Sequence, residues 1–286
     1  MSFRVVSEHA CYGGMQRFYE HASRVIGLPM RFSIYLPKAC AIQKVPALVY
    51  LAGLTCTEET FPIKGGAQRL ASELGIALIA PDTSPRGAGF EGESDSSDFG
   101  VGAGFYLDAT QAPWSKHWRM ESYLMEELLP AICESLPIVS DRIGIFGHSM
   151  GGHGALTLAL RHPGRFMSVS AFSPICAPTE APWGRKAFGC YLGSDSQAWI
   201  AHDATQLMAM QTEAPWPEGV LIDQGLLDKF LVEQLHPHRF EVACAKAGQP
   251  LTLRWHVGYD HGYFFIQIFM ADHLRHHHRI LSSGRS

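Results

Sequence analysis

Arg142-Ile-Gly-Ile-Phe-Gly-His-Ser-Met-Gly-Gly-His-Gly-Ala-Leu156 holds an apolar run, a tight turn and a helix pattern in immediate succession. Ile143 to Phe146 reads as a short buried strand, and Gly152 to Arg161 reads as a helix. Between them stands Gly147-His-Ser-Met-Gly151, a glycine-x-serine-x-glycine turn. So sharp a passage from strand to helix forces its central residue, Ser149, into a strained backbone conformation. Bulky side chains at 147 and 151 would collide with the crossing helix, and glycine avoids this. The hydroxyl is left exposed at the positive end of a helix dipole. Ser149 is therefore the candidate nucleophile.

Working outward, strand and helix patterns alternate along the chain. Arg31 to Leu36, Ala47 to Leu51, Ile76 to Ala80, Met167 to Phe172, Val220 to Ile222 and Leu251 to Val257 read as further strands. Ala47 to Leu51 is apolar throughout, as a strand covered on both faces requires. The last strand alternates, with Leu251, Leu253, Trp255 and Val257 on one face and Thr252, Arg254 and His256 on the other. Helices are predicted at Gly66 to Leu74, Glu121 to Leu136 (kinked at Pro130), Leu231 to Ala247 and Phe264 to His278. This alternation predicts an α/β fold, a mostly parallel, doubly wound sheet with helices on both faces. The start of the chain is expected to add antiparallel edge strands. Glu91 to Gly104 reads as a long loop near the site, and Pro174 to Gly193 as an insertion with short helices.

The 286 residues suffice for one α/β domain, 1–286, with its own core. A net charge of −4 argues against a nucleic-acid partner. No apolar run reaches membrane-spanning length, and Met-Ser-Phe-Arg-Val-Val at the start lacks a signal-peptide pattern. Seven cysteines, an odd number with no C-x-x-C pair, fit free thiols in a reducing cytoplasm.

The strand-turn-helix around Ser149 matches the nucleophile elbow of α/β-hydrolases, where the chain order is serine, then acid, then histidine. A serine hydroxyl needs a base within hydrogen-bond reach, and the base needs an orienting partner. The acid should follow a late strand, and Val220-Leu-Ile-Asp-Gln-Gly-Leu-Leu-Asp228 offers two aspartates. Asp228 is favoured because the loop past Gly225 can curl back toward the base, which leaves Asp223 to tie the loop to its neighbours. The base should follow the last strand, where His261 stands at a glycine-flanked turn. His256 competes but lies within the strand; His148 and His153 flank the serine but point away from its hydroxyl; Asp260 reads as a turn residue. An oxyanion needs two fixed N–H donors. Met150, after the nucleophile, supplies one, and Leu54, after the Ala47 to Leu51 strand, supplies the other. Cys56 reads as a thiol lining the pocket or as a buried core residue.

Two weaker patterns are set aside. Gly100-Val-Gly-Ala-Gly104 resembles a dinucleotide loop but follows no strand and has no acidic residue at the right distance. Asp272-His-Leu-Arg-His-His-His278 offers no carboxylate or cysteine cage for a metal and reads as a solvated basic helix end.

At these residues the chain resembles the S-formylglutathione hydrolases, the esterase D family, over nearly its whole length. The resemblance rests on Tyr50-Leu-Ala-Gly-Leu-Thr-Cys-Thr57, Ala80-Pro-Asp-Thr-Ser-Pro-Arg86, Asp98-Phe-Gly-Val-Gly-Ala-Gly-Phe-Tyr106, Gly147 to Gly154, Ser170-Ala-Phe-Ser-Pro-Ile175, Pro182-Trp-Gly-Arg-Lys-Ala-Phe188, Ile222-Asp-Gln-Gly225 with Asp228, and Tyr259-Asp-His-Gly-Tyr-Phe264. It implies an α/β-hydrolase fold, a Ser149–Asp228–His261 triad, no cofactor and no metal. It also implies a glutathione thioester as substrate, a cytoplasmic homodimer acting in formaldehyde detoxification, and a reactive thiol at Cys56. On that substrate, Lys64, Arg86, Trp183, Arg185 and Lys186 become candidates for gripping the glutathione part. The chain departs from the family where Ser97 replaces a usual Trp, Thr60 a usual Asn and Gly262 a usual Ser. The departures touch pocket loops and bear on substrate range. The same triad also fits a general short-chain carboxylesterase, an acyltransferase to an alcohol, or an inactive hydrolase fold serving as a binding module.

Overall fold

Nine strands form one sheet in a computed structural model that describes residues 2–283. The strands are β1 (Arg4–Cys11), β2 (Gly14–Ala22), β3 (Pro29–Leu36), β4 (Val45–Leu51), β5 (Ala77–Pro81), β6 (Ile138–His148), β7 (Ser168–Phe172), β8 (Val220–Gly225) and β9 (Leu251–His256). Their spatial order is β1-β2-β3-β5-β4-β6-β7-β8-β9. From β5 to β9 the pairing is parallel. The first three strands are antiparallel to their neighbours and extend the sheet at one edge. The predicted mostly parallel sheet is present, with helices on both faces, and its antiparallel extension is three strands wide.

The continuous apolar runs follow from this layering. Along β4, Ala47, Val49 and Leu51 enter the core on one face, while Leu48 and Tyr50 enter the core on the other. Ile143 and Ile145 of β6 join the first core and Phe146 joins the second. The helix Met150–Arg161 covers the first face through Leu156 and Leu158, and the C-terminal helix Tyr263–Ser283 covers the second through Met270, Leu274 and Leu281.

Three expectations need correction. The segment Leu231 to Ala247 is not one helix. A π-type turn, Leu231–Leu235, ends at His236 in a left-handed conformation (φ 50°), and Pro237 opens a new helix, Pro237–Ala247. The residue before a proline is disfavoured in the α region, and proline is well suited to the first helical position. The run Met120–Ser135 is continuous but not regular α-helix throughout: a π-type turn, Tyr123–Leu128, stands just before Pro130. The run Asp272 to His278 is not a solvated end: His273 and His277 are fully buried against the sheet.

On β9 the alternation holds, but this is an edge strand. Trp255 is half-exposed and Val257, past the strand end, is exposed, while Arg254 and His256 turn inward to Asp223.

Candidate active site

The parallel strands deliver their C-terminal ends to one rim, and the chemistry-bearing residues collect there. At the end of β6, Ser149 has φ 58° and ψ −119°, outside the ordinary regions for a non-glycine residue. The turn is held from both sides: Ser149 N–H donates to Phe172 O (3.0 Å), and Ile175 N–H donates to Ser149 O (3.2 Å). Gly151 lets this elbow lie against β4, since a Cβ there would sit 1.9 Å from the Leu51 carbonyl oxygen.

β8 and β9 bring the next two residues together. Leu226 N–H donates to His256 O and Leu227 N–H to Tyr259 O, each at 2.9 Å. The loops leaving the two strands are thereby stitched side by side. Across this seam His261 Nδ1 lies 2.5 Å from Asp228 Oδ2. Asp228 Oδ1 accepts the Phe230 N–H at 2.9 Å, and Gln224 Nε2 donates to Oδ2 at 3.2 Å. Burial alone would raise the Asp228 carboxyl, but these bonds and the charge of His261 outweigh it, and its pKa falls below the ordinary aspartate value. An ionised carboxylate only accepts, so the hydrogen between the two sits on His261 Nδ1, and in the neutral imidazole Nε2 is then the acceptor.

Ser149 and His261 line one cavity of about 260 Å³, with Leu54, Cys56, Trp183 and Phe230 also on its wall. The loop carrying Leu54 bends through Thr55 in the left-handed region (φ 68°). Met150 is the first residue of its helix, where the N–H has no intrahelical acceptor. Ser149, His261 and Leu54 thus share one cavity wall, with Asp228 bonded to His261 behind it and Met150 next to Ser149 in the chain.

Asp223, the competing aspartate, lies elsewhere. It is fully buried and held bidentately by Arg254 at 2.6 Å through both oxygens, with His256 Nε2 at 3.2 Å and His273 Nε2 at 3.3 Å. His148 packs its ring 4.4 Å from the His261 ring, and burial holds its pKa well below the usual value, so it stays neutral. Asp260 accepts the Gly262 N–H at 2.8 Å, as a turn residue should.

Cys56 lines the cavity and also packs against the core of the second face, so both readings apply to it. Burial pushes its pKa up, although hydrogen bonds with Thr60 and Tyr263 and the charge of Lys64 act against this. Thr60 also accepts the Thr57 N–H at 3.0 Å, so its departure from the family residue sits in the loop's own bonding. Ser97 is on the cavity wall.

The candidates for gripping a substrate separate by position. Trp183 lies on the cavity wall with its ring 4.6 Å from that of Phe230. Lys64 Nζ stands 5.9 Å from the ring centre of Tyr263, another wall residue. Lys186 is paired with Asp98 at 2.5 Å, at the cavity edge. Arg185 turns away to the Thr179 carbonyl (2.8 Å) and Glu180 (3.7 Å). Arg86 faces a separate cavity of about 450 Å³ beside Glu58 and Asp82, and its guanidinium is bound to Asp82 and the Cys56 carbonyl. Gln224 and Tyr263 were not singled out from sequence. Gln224 carries no pattern of its own, since its part depends on where β8 ends.

Among the described residues no group of three or more His, Cys, Asp or Glu is arranged to hold a metal ion, and no helix is long and apolar enough to cross a membrane.

A mostly parallel sheet with a strained serine elbow at its rim, beside a carboxylate–histidine couple, makes this an α/β-hydrolase-like protein. A family model described as "Putative esterase" matches residues 23–277. An S-formylglutathione hydrolase of Rattus norvegicus is 50% identical over 285 residues, covering 99% of this chain and 100% of that protein. One from Paracoccus denitrificans is 51% identical over 277 residues, covering 97% and 98%. The solved S-formylglutathione hydrolase of Agrobacterium tumefaciens superposes with a TM-score of 0.94 at 45% identity, covering 97% of this chain and 99% of that one. The chain belongs to the S-formylglutathione hydrolase family of esterases.

Proposed function

We propose that this chain hydrolyses S-formylglutathione to formate and glutathione, with Ser149 as nucleophile, His261 as base and Asp228 as its orienting acid. The observation that carries the mechanism is the 2.5 Å contact of Asp228 with His261 beside the strained Ser149, at the wall of one cavity. His261 Nε2 takes the serine proton as Oγ attacks the formyl carbon. The oxyanion is held by the N–H groups of Leu54 and Met150. The C–S bond then breaks, the sulfur leaves as thiolate and takes the proton back from His261, and formyl-Ser149 remains. Water attacks that ester, giving its proton to His261, and formate leaves as Ser149 is reprotonated. A thiol of pKa near 8.5 is a good leaving group, so the acid half of the cycle asks less of the imidazolium than amide cleavage would.

Lys64, Lys186 and Trp183 are the residues we assign to the glutathione part, whose two carboxylates need cations. The reading extends to a single domain acting without a cofactor, and to a cytoplasmic homodimer in formaldehyde detoxification; what supports these points is the family membership. The test compares kcat/KM for S-formylglutathione with that for p-nitrophenyl acetate. Preference for the thioester, abolished in Ser149→Ala, is the expected result. Preference for the simple ester by a large factor would make the chain a general carboxylesterase instead.

A further inference from the structure

Leu54 can stabilise an oxyanion only if its N–H is already in place before the charge develops. Leu54 lies in a turn closed by the Cys56 N–H bond to Gly53 O (3.3 Å), and two further restraints tie that turn to its neighbours. Thr55, the next residue, sits at φ 68°, a conformation that persists only where neighbours over-determine it. One restraint is the Thr55 N–H bond to Gly102 O at 2.9 Å. The second acts on the Cys56 carbonyl, which accepts from Thr83 Oγ1 at 2.6 Å and from Arg86 Nη2 at 3.2 Å.

Both donors are themselves fixed by one carboxylate. Asp82, at the end of β5, is 4% exposed. It binds Arg86 through both oxygens, Nε at 2.7 Å and Nη2 at 2.8 Å, and its Oδ1 accepts the Thr83 N–H at 2.7 Å. Thr83 is fully buried. Two donors from the loop that follows β5, the strand next to β4, therefore converge on a single carbonyl, two residues beyond Leu54. None of Asp82, Thr83 and Arg86 lines the cavity that holds Ser149.

We infer that Asp82, Thr83 and Arg86 form a clamp on the Cys56 carbonyl that positions the Leu54 N–H for the transition state. They are positioning residues that do not touch the substrate. The inference rests on Leu54 N–H being an oxyanion donor in the reaction proposed above. Removal of the clamp leaves substrate binding alone and weakens only what forms after attack. A shift of the donor by about 1 Å costs up to about 10²-fold in rate.

The experiment measures kcat and KM for S-formylglutathione in Thr83→Val, Thr83→Ser, Arg86→Gln and Arg86→Lys. It is paired with the Ki of phenylboronic acid, which becomes tetrahedral on a catalytic serine and places an oxygen where the oxyanion forms. Thr83→Val and Arg86→Gln should lower kcat about 10- to 100-fold with KM within twofold, and should weaken the boronic acid in parallel. Thr83→Ser, which restores the hydroxyl, should recover most of the activity. Arg86→Lys keeps the charge but loses the two-pronged grip on Asp82, and should fall between. Thermal unfolding checks that each variant is folded; if Thr83→Val is not, the half-exposed Arg86 decides through Arg86→Gln. A folded Arg86→Gln or Thr83→Val with normal kcat, or with lowered kcat and unchanged boronic acid affinity, overturns the clamp. Hydrolysis that survives Ser149→Ala in the otherwise native chain would instead overturn the parent mechanism.

Discussion

Gly225→Ala tests whether the seam between β8 and β9 sets the acid–base couple. Gly225 is the last residue of β8, three before Asp228. A Cβ placed on it would stand 2.4 Å from Tyr259 O and 2.8 Å from Asp260 O, both backbone atoms of the turn that carries His261. Ordinary van der Waals contact needs about 3.4 Å or more, so the turn has to retreat by about 1 Å. Tyr259 O is also the acceptor of Leu227 N–H, so that bond stretches with it. Overpacking costs about 1–3 kcal/mol and a weakened hydrogen bond about 1 more, while alanine's lower unfolded-state entropy returns about 0.5–1. A net loss of roughly 1–3 kcal/mol leaves a chain of this size folded at 25 °C. Its catalysis should suffer more, because His261 moves with the turn while Asp228 does not. A misplacement of about 1 Å corresponds to about 10²-fold in kcat. The assay is kcat on S-formylglutathione beside the thermal midpoint. A folded Gly225→Ala enzyme with native kcat would refute the idea that this contact fixes the couple.

Ser149→Ala should lower kcat by about 10⁶-fold, the loss seen when a nucleophile is removed from a triad, and Asp228→Asn by about 10⁴-fold, both read in steady-state kinetics. Acid should destabilise the fold between the ordinary histidine pKa and about 4, because burial pushes His153 and His276 down to about 4. The folded chain resists protonation there while the unfolded chain accepts it, so stability is full above the ordinary value and lost as pH falls, which denaturant titrations at pH 7 and pH 5 will show. Alkylation of Cys56 by a maleimide, read by peptide mapping, should be slow at neutral pH and speed up as pH rises, because burial raises that thiol. If that reagent inhibits by filling the cavity, Cys56→Ser should keep activity and lose the sensitivity.

The legible part of this protein was local. The elbow at Ser149, the apolar strands and the glycine-flanked His261 are short patterns whose physics is complete within a few residues. Asp228 was separable from Asp223 because a loop past Gly225 has the freedom to turn and a strand does not. The histidines of the C-terminal helix were misread because their partners lie far away in sequence. Nothing within Asp272 to His278 announces that Ser168 and Ser170 of β7 wait beneath it. The break at His236 was readable in principle, since Pro237 disfavours a helical residue before it. The bonding of Arg86 was hidden for the same reason as that of the histidines: a free cation and one bound to Asp82 look alike until the neighbouring strand end is in place.

Asp223 and Asp228 stand five residues apart, both buried and both bound to histidine, yet their environments predict opposite phenotypes. Around Asp223 the bonds form a directed chain. Its carboxylate accepts from His273 Nε2 (3.3 Å), so His273 Nδ1 must accept from the Ser170 hydroxyl (2.7 Å). The Ser170 oxygen in turn accepts from His277 Nε2 (2.8 Å), and His277 Nδ1 accepts from Ser168 Oγ (2.6 Å). Both histidines are thereby neutral, in keeping with their lowered pKa. Burial would raise Asp223, but the bonds from His273 and Arg254 outweigh it and hold its carboxyl well below the usual range. This chain fastens the C-terminal helix, which starts two residues after His261, to β7 and β8 without reaching the cavity. Asp223→Asn therefore takes from the part-exposed Arg254 one of its two carboxylates, leaving Asp272 at 2.8 Å, and reverses one donor, which should cost about 1–3 kcal/mol of stability. The kcat of the molecules that remain folded should stay within a few-fold of native, whereas Asp228→Asn should spare stability and lose rate. Urea titrations and active-site-titrated kinetics on the pair would expose the error in this division if Asp223→Asn lost its rate while keeping its stability.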